Sequence, residues 1–95
     1  MDMENNRRVK VVISGKVQGV FFRVETKKAA DRFNVYGWVK NLKDSTVAAV
    51  FEGEYENVDK ILNWCTQGSL LSEVDNVSVG IEKHRGEFSD FQIFY

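Results

Sequence analysis

The residues most able to do chemistry run Gly15-Lys16-Val17-Gln18-Gly19-Val20-Phe21-Phe22-Arg23. Two glycines flank a short apolar loop, and an arginine follows where a helix would begin. Consecutive backbone N–H groups in such a loop can curl into a concave nest, and glycine supplies the positive φ that the curl requires. The free N–H groups and dipole of a following helix favour negative charge at the same point. Arg23 adds a planar fork suited to phosphate or carboxylate. A cation in the first helical turn opposes the dipole, so an anion bound there would compensate it. The competing reading is an ordinary strand-to-helix loop with a solvated arginine, and spacing alone leaves both open.

A second candidate closes the segment Gly37-Trp38-Val39-Lys40-Asn41. An asparagine ending a strand is commonly a turn residue bonded to its own backbone. Its amide also offers a donor and an acceptor, enough to hold one water in one orientation. Which role applies depends on where the fold puts it.

The elements that must position these residues follow from periodicity. Residues 9–14 are β-branched and read as a strand buried on both faces. Phe22, Thr26, Ala29, Ala30 and Phe33 trace one helical face, with Lys27, Lys28, Asp31 and Arg32 on the other. Residues 36–42 and 46–52 form a hairpin around Lys43-Asp44-Ser45. Val58, Ile61, Leu62 and Cys65 give a second amphipathic helix ending near Gly68. Val77, Val79 and Ile81 alternate with polar or small residues as a fourth strand, and Phe91-Gln92-Ile93-Phe94-Tyr95 makes a short fifth. The order β-α-β-β-α-β-β predicts an α+β sandwich of the ferredoxin-like type, two helices on one face of a mainly antiparallel sheet. A helical crossover makes the first two strands parallel, so their C-terminal ends share one edge. Asn41 is thereby expected beside the 15–23 loop.

Composition narrows the function. The chain has 95 residues, 43% hydrophobic and 28% charged, read as a polar tail over 1–8 and a single domain over 9–95. Thirteen Lys+Arg against fourteen Asp+Glu leave a net charge of -1, and the pI is near 5.8. That balance argues against nucleic-acid or anionic-membrane partners, which want a basic face. No apolar run approaches the ~20 residues of a membrane span. The segment before the first strand lacks a leucine-rich signal core, so a cytoplasmic location is expected. One cysteine and one histidine cannot build a zinc site. Cys65 belongs to the apolar stripe of its helix and His84 to a solvated, charged stretch. Glu52, Glu54 and Glu56 bracket a strand end and a helix start, where solvation and the dipole account for them. Trp38 and Trp64 read as packing residues, Trp38 close enough to Asn41 to line a pocket. Lys16, Lys40 and Lys43 either set up a local positive field or simply solubilise the surface.

The segment 15–23 closely resembles the signature loop of the acylphosphatases, glycine-x-valine-glutamine-glycine-valine-x-aromatic-arginine. Gly37-Trp38-Val39-Lys40-Asn41, followed by Val47 and Gly53, resembles that family's second signature at matched spacing. The resemblance covers most of the chain. It implies hydrolysis of the carboxyl–phosphate bond of small acyl phosphates to carboxylate and orthophosphate, with neither metal nor cofactor. It further implies that Arg23 and the loop from Val17 through Gln18, Gly19, Val20 and Phe21 to Phe22 bind the phosphoryl oxygens, while Asn41 orients the attacking water. A monomer is expected, with acyl phosphate and inorganic phosphate as its small-molecule partners.

The chain departs from the family pattern at two places. Ser45 stands where glycine is usual, so the hairpin keeps the family geometry only if Ser45 takes positive φ. Gly68-Ser69-Leu70-Leu71 replaces a connection often rich in proline. The alternative reading is a non-catalytic ferredoxin-like module that binds phosphate or another ligand. An RNA-reading module is disfavoured by the acidic pI and by Val47-Ala48-Ala49-Val50-Phe51-Glu52, which lacks a basic-glycine-aromatic pattern.

Overall fold

β-branched side chains at Val9, Val11, Val12 and Ile13 favour extended backbone. In the computed structural model, which describes residues 5–95, they lie in β1, Asn6–Lys16. The chain continues through α1 (Phe22–Arg32), β2 (Tyr36–Asn41), β3 (Val47–Glu54), α2 (Tyr55–Gln67), β4 (Glu73–Glu82) and β5 (Phe91–Phe94). The sheet order is β4-β1-β3-β2-β5. β3 pairs antiparallel with both β1 and β2, so those two run parallel with β3 between them. β4 pairs antiparallel with β1, and β5 runs parallel to β2. This is the expected ferredoxin-like sandwich.

The predicted helical faces are the buried ones. α1 buries Phe22, Thr26, Ala29 and Ala30, and α2 buries Val58, Ile61 and Cys65. They cover Val9, Val11, Ile13, Ala49 and Phe51 of the sheet. Each large apolar side chain buried this way contributes roughly 1.5–3 kcal/mol. Burial pushes the Cys65 thiol up to about 12, so it stays protonated and inert at neutral pH. Between Val9 and Ile13, β1 is buried on one face only, because Lys10 and Val12 look away from the helices. Val79 and Ile81 share a face with Val11 and Val9 yet are exposed, since β4 is an edge strand at the limit of the helical layer.

The largest corrections fall at the end of the sheet where β1 starts. Arg7 and Arg8, assigned from sequence to a polar tail over 1–8, are strand residues because β3 and, at Arg8, β4 pair with them. Residues 1–4 of that tail lie outside the described residues. Arg8 is buried and reaches Glu82 and Glu87 at 2.9 Å each and Glu52 at 3.8 Å. Burial alone would lower its pKa, but hydrogen bonds and charge from these carboxylates outweigh it and raise it. Glu52 is buried as well, and its Oε2 accepts the backbone N–H groups of Arg85 (2.8 Å) and Gly86 (3.1 Å). His84 is half-buried rather than solvated, with Nε2 3.9 Å from that same oxygen. The cluster pins the connection that carries the chain from β4 across to β5.

Candidate active site

At the opposite end of the sheet, β1 and β2 finish at the same edge with β3 between them, as their parallel course requires. The segment leaving β1 turns through a bulge at Ser14/Gly15. Gly15 has φ +124°, and a Cβ there would lie 2.2 Å from the carbonyl oxygen of Glu73, so no side chain fits. Gly19 needs glycine for another reason. Its φ is +75°, but a Cβ would meet open space, so the constraint is conformational and its surroundings are clear for a ligand.

Helix α1 begins with no side-chain cap. Its N-cap residue, Phe21, sits in the left-handed region at φ 63°, ψ 23°. For an aromatic residue that costs roughly 1–2 kcal/mol, the kind of strain found where a backbone must present its amides to a ligand. Among the described residues, no amide from Gln18 to Arg23 donates to a backbone carbonyl. The side chains of Val17 and Phe22 are buried in the core, and that anchors the loop while its backbone faces outward.

Val17, Gly19, Phe21, Phe22, Arg23 and Asn41 converge on a cleft of about 220 Å³, closed further by Val24 and Tyr95. Arg23 lies with its guanidinium carbon 4.7 Å above the Tyr95 ring, and Nη1 donates a long 3.4 Å bond to the Phe94 carbonyl. None of the ion pairs among the described residues involves it. Asn41 ends β2 opposite Val47, and its Oδ1 is buried with no hydrogen-bond partner. A buried acceptor left unpaired costs about 1–3 kcal/mol, a cost that a bound water or ligand would remove.

Two loop residues expected at the phosphate do not line the cleft. Val20 is buried and faces a neighbouring groove. Gln18 turns its side chain away, and Nε2 donates to the carbonyls of Leu42 and Thr46 at 2.8 Å each. Sequence reasoning assigned Gln18 only a backbone role. Its amide N–H groups, on a loop expected to meet the end of β2, were the signal for the second one. This clamp ties the loop after β1 to the hairpin that carries Asn41. Ser45 within that hairpin has φ 75°, the positive value the glycine-type turn demands. Trp38 lies outside the cleft, stacked on Phe94 at 5.6 Å, while Trp64 packs against Phe22 at 5.5 Å.

The acylphosphatase family model matches residues 9–93. The chain belongs to the acylphosphatase family. It is 51% identical over 89 residues to an acylphosphatase of Syntrophus aciditrophicus, covering 94% of this chain and 93% of that one. Among solved structures it is similar to an acylphosphatase from Coxiella burnetii, with a TM-score of 0.92 and 34% identity over 99% of this chain and all of that one. The acylphosphatase from Bacillus subtilis aligns with a TM-score of 0.90 and 30% identity, covering 94% and 99% of the two chains. The chain is accordingly an enzyme that hydrolyses the carboxyl–phosphate bond of acyl phosphates. The non-catalytic reading falls. No helix among the described residues is long and apolar enough to cross a membrane.

Proposed function

We propose that the acylphosphatase reaction proceeds here by in-line attack of water on phosphorus, with the residues of this one cleft dividing the work. Amides of the Val17–Phe22 loop and the Arg23 guanidinium hold the phosphoryl oxygens. Asn41 Oδ1 accepts a hydrogen bond from the attacking water and points its lone pair at phosphorus. The new P–O bond forms as the bond to the carboxyl oxygen breaks, and the electron pair leaves on the carboxylate. A carboxylate is a good leaving group and needs no strong acid. The transition state is largely metaphosphate-like, so positioning and charge stabilisation supply the acceleration. A phosphoryl oxygen of the substrate takes the water's proton, giving orthophosphate.

The observation that carries this reading is the unpaired Asn41 acceptor in the same cleft as an arginine free of carboxylates. Simple anion binding has no use for an extra acceptor, since it would repel the anion. A cleft of about 220 Å³ suits a small acyl phosphate as its substrate. A lone, buried cysteine fits a reducing cytoplasm. Titration with orthophosphate, followed by amide NMR shifts, tests the cradle. The largest changes should fall between Val17 and Arg23, and changes centred elsewhere would move the phosphate site. Turnover of acetyl phosphate should be unaffected by a strong chelator.

A further inference from the structure

β4 has β1 on one side and, among the described residues, no strand on the other. A bare strand edge is a row of unpaired backbone N–H and C=O groups, and proteins ordinarily blunt it with lysine, proline or a bulge. The pairing of β4 with β1 slips once, between Val74 and Asn76, which leaves Asp75 as the bulged residue. From Asn76 to Glu82 the pairing is regular, and neither proline nor lysine interrupts Asn76-Val77-Ser78-Val79-Gly80-Ile81-Glu82. Its single charge, Glu82, is turned to Arg8 at 2.9 Å. Val79 is 47% exposed and Ile81 77%. The edge is open and apolar where its pairing is regular.

The sequence of this edge is complementary to itself. Laid antiparallel on a second copy with Val79 facing Val79, Val77 meets Ile81, Ser78 meets Gly80 and Asn76 meets Glu82. Opposed residues of antiparallel strands share a face, so the apolar pairs all fall on the side that bears the helices. Just past the ends of this stretch, Asp75 of each copy comes to Lys83 of the other. Both are exposed, and neither enters an ion pair among the described residues. A parallel pairing in register would instead set Asp75 on Asp75 and Lys83 on Lys83. We infer that β4 pairs with β4 of a second copy about a twofold axis at Val79, joining two five-stranded sheets edge to edge. The contact uses the same edge in both copies, so it closes at the dimer. A strand pair of this length buries about 1,000 Å² in total, the low end for a specific contact, and a Kd on the order of 10–100 µM is expected. The monomer expected from the sequence is then the dilute form.

Sedimentation equilibrium from about 5 µM to about 1 mM, a range that brackets the expected Kd, tests this directly. The mass of the parent should rise from one chain towards two and stop there. Val79→Lys opposes two ammonium groups at the axis, and this variant should stay at one chain throughout. Val79 is half exposed, so a lysine stem can lie on the sheet with its head in water. No residue of β4 lines the cleft, so acetyl phosphate kinetics matching the parent would certify that the variant is folded. The register has its own test. Asp75→Lys should weaken association roughly fivefold, and adding Lys83→Asp should restore it, because opposite charges then face each other again. A parent that remains a single chain at the highest concentration would overturn the inference. So would a Val79→Lys variant that dimerises as the parent does, or a parent mass that grows past two chains. A charge-swapped variant no tighter than Asp75→Lys alone would overturn the pairing centred on Val79.

Discussion

At the end of the sheet where β1 and β2 finish, Arg23 has a long bond to one carbonyl and Asn41 Oδ1 has no partner. At the end where β1 starts, Arg8 is surrounded by three carboxylates, and one of these, Glu52, accepts two backbone amides. Both ends use an arginine, yet to opposite effect. Arg8 has its charge answered within the chain, so it fixes the crossing to β5 and is of no use to a ligand. Arg23 meets no carboxylate among the described residues, and in the proposed reaction the phosphoryl group answers its charge. Beside the cleft the aromatic Phe21 holds a left-handed conformation, whereas at the other end that conformation falls to Asn34, a residue that tolerates it. Of the two arginines, the one surrounded by carboxylates braces the fold, and the one without them faces the cleft.

Substitutions at the two ends should therefore separate activity from stability. The largest effect is expected at Arg23. Arg23→Ala should lower kcat/KM by about 10³-fold and weaken phosphate inhibition, with thermal stability unchanged. Arg23→Lys should recover only part, because a point charge cannot reproduce the fork. A marked loss of thermal stability in either variant would blur the contrast, by giving Arg23 a structural share.

Glu52→Ala should do the reverse. It strands the amides of Arg85 and Gly86 and removes one counter-charge of Arg8, costing about 2–4 kcal/mol in a denaturant melt. The folded fraction should keep its kcat. Unchanged stability would mean that Glu82 and Glu87 suffice to hold the crossing.

Gln18 sharpens the comparison because it is a structural clamp set within the functional end. Gln18→Ala removes the donor shared by two carbonyls that each keep one backbone N–H, and about 1 kcal/mol of stability should go with it. Since the clamp ties the phosphate loop to Asn41, kcat should also fall, by about tenfold. A stability loss with kcat intact would show that the loop holds its own shape.

How far these roles could be read in the sequence depended on the range of the interaction. The helical faces of α1 and α2 are local patterns, and the buried residues match them. The meeting of Asn41 with the 15–23 loop was legible as well, because handed crossover geometry turns a chain order into a spatial one. Arg8 and Glu52 were not. Their partners lie up to 79 residues away, and a charged residue at a strand end looks solvated until the opposing chain is known. His84 was misjudged for the same reason, since Lys83 and Arg85 disguise a ring that turns toward Glu52. The exposure of Ile81 was hidden because alternation marks a face but does not say whether a helix covers it.

The smallest expected effect concerns Ser45, whose positive φ is strained for a side-chain-bearing residue. Ser45→Gly should raise stability by up to about 1 kcal/mol with activity nearly unchanged. A destabilised variant would mean that the hairpin is adapted to serine.

The division of labour within the cleft is tested most directly by steady-state kinetics of Asn41→Ala with orthophosphate as competitive inhibitor. Asn41 should touch the water and not the phosphate. Its loss should lower kcat by about 10²-fold or more while the phosphate inhibition constant stays close to that of the parent. Near-normal turnover in Asn41→Ala, or phosphate binding that weakens in step with kcat, would contradict a water-orienting role for this side chain.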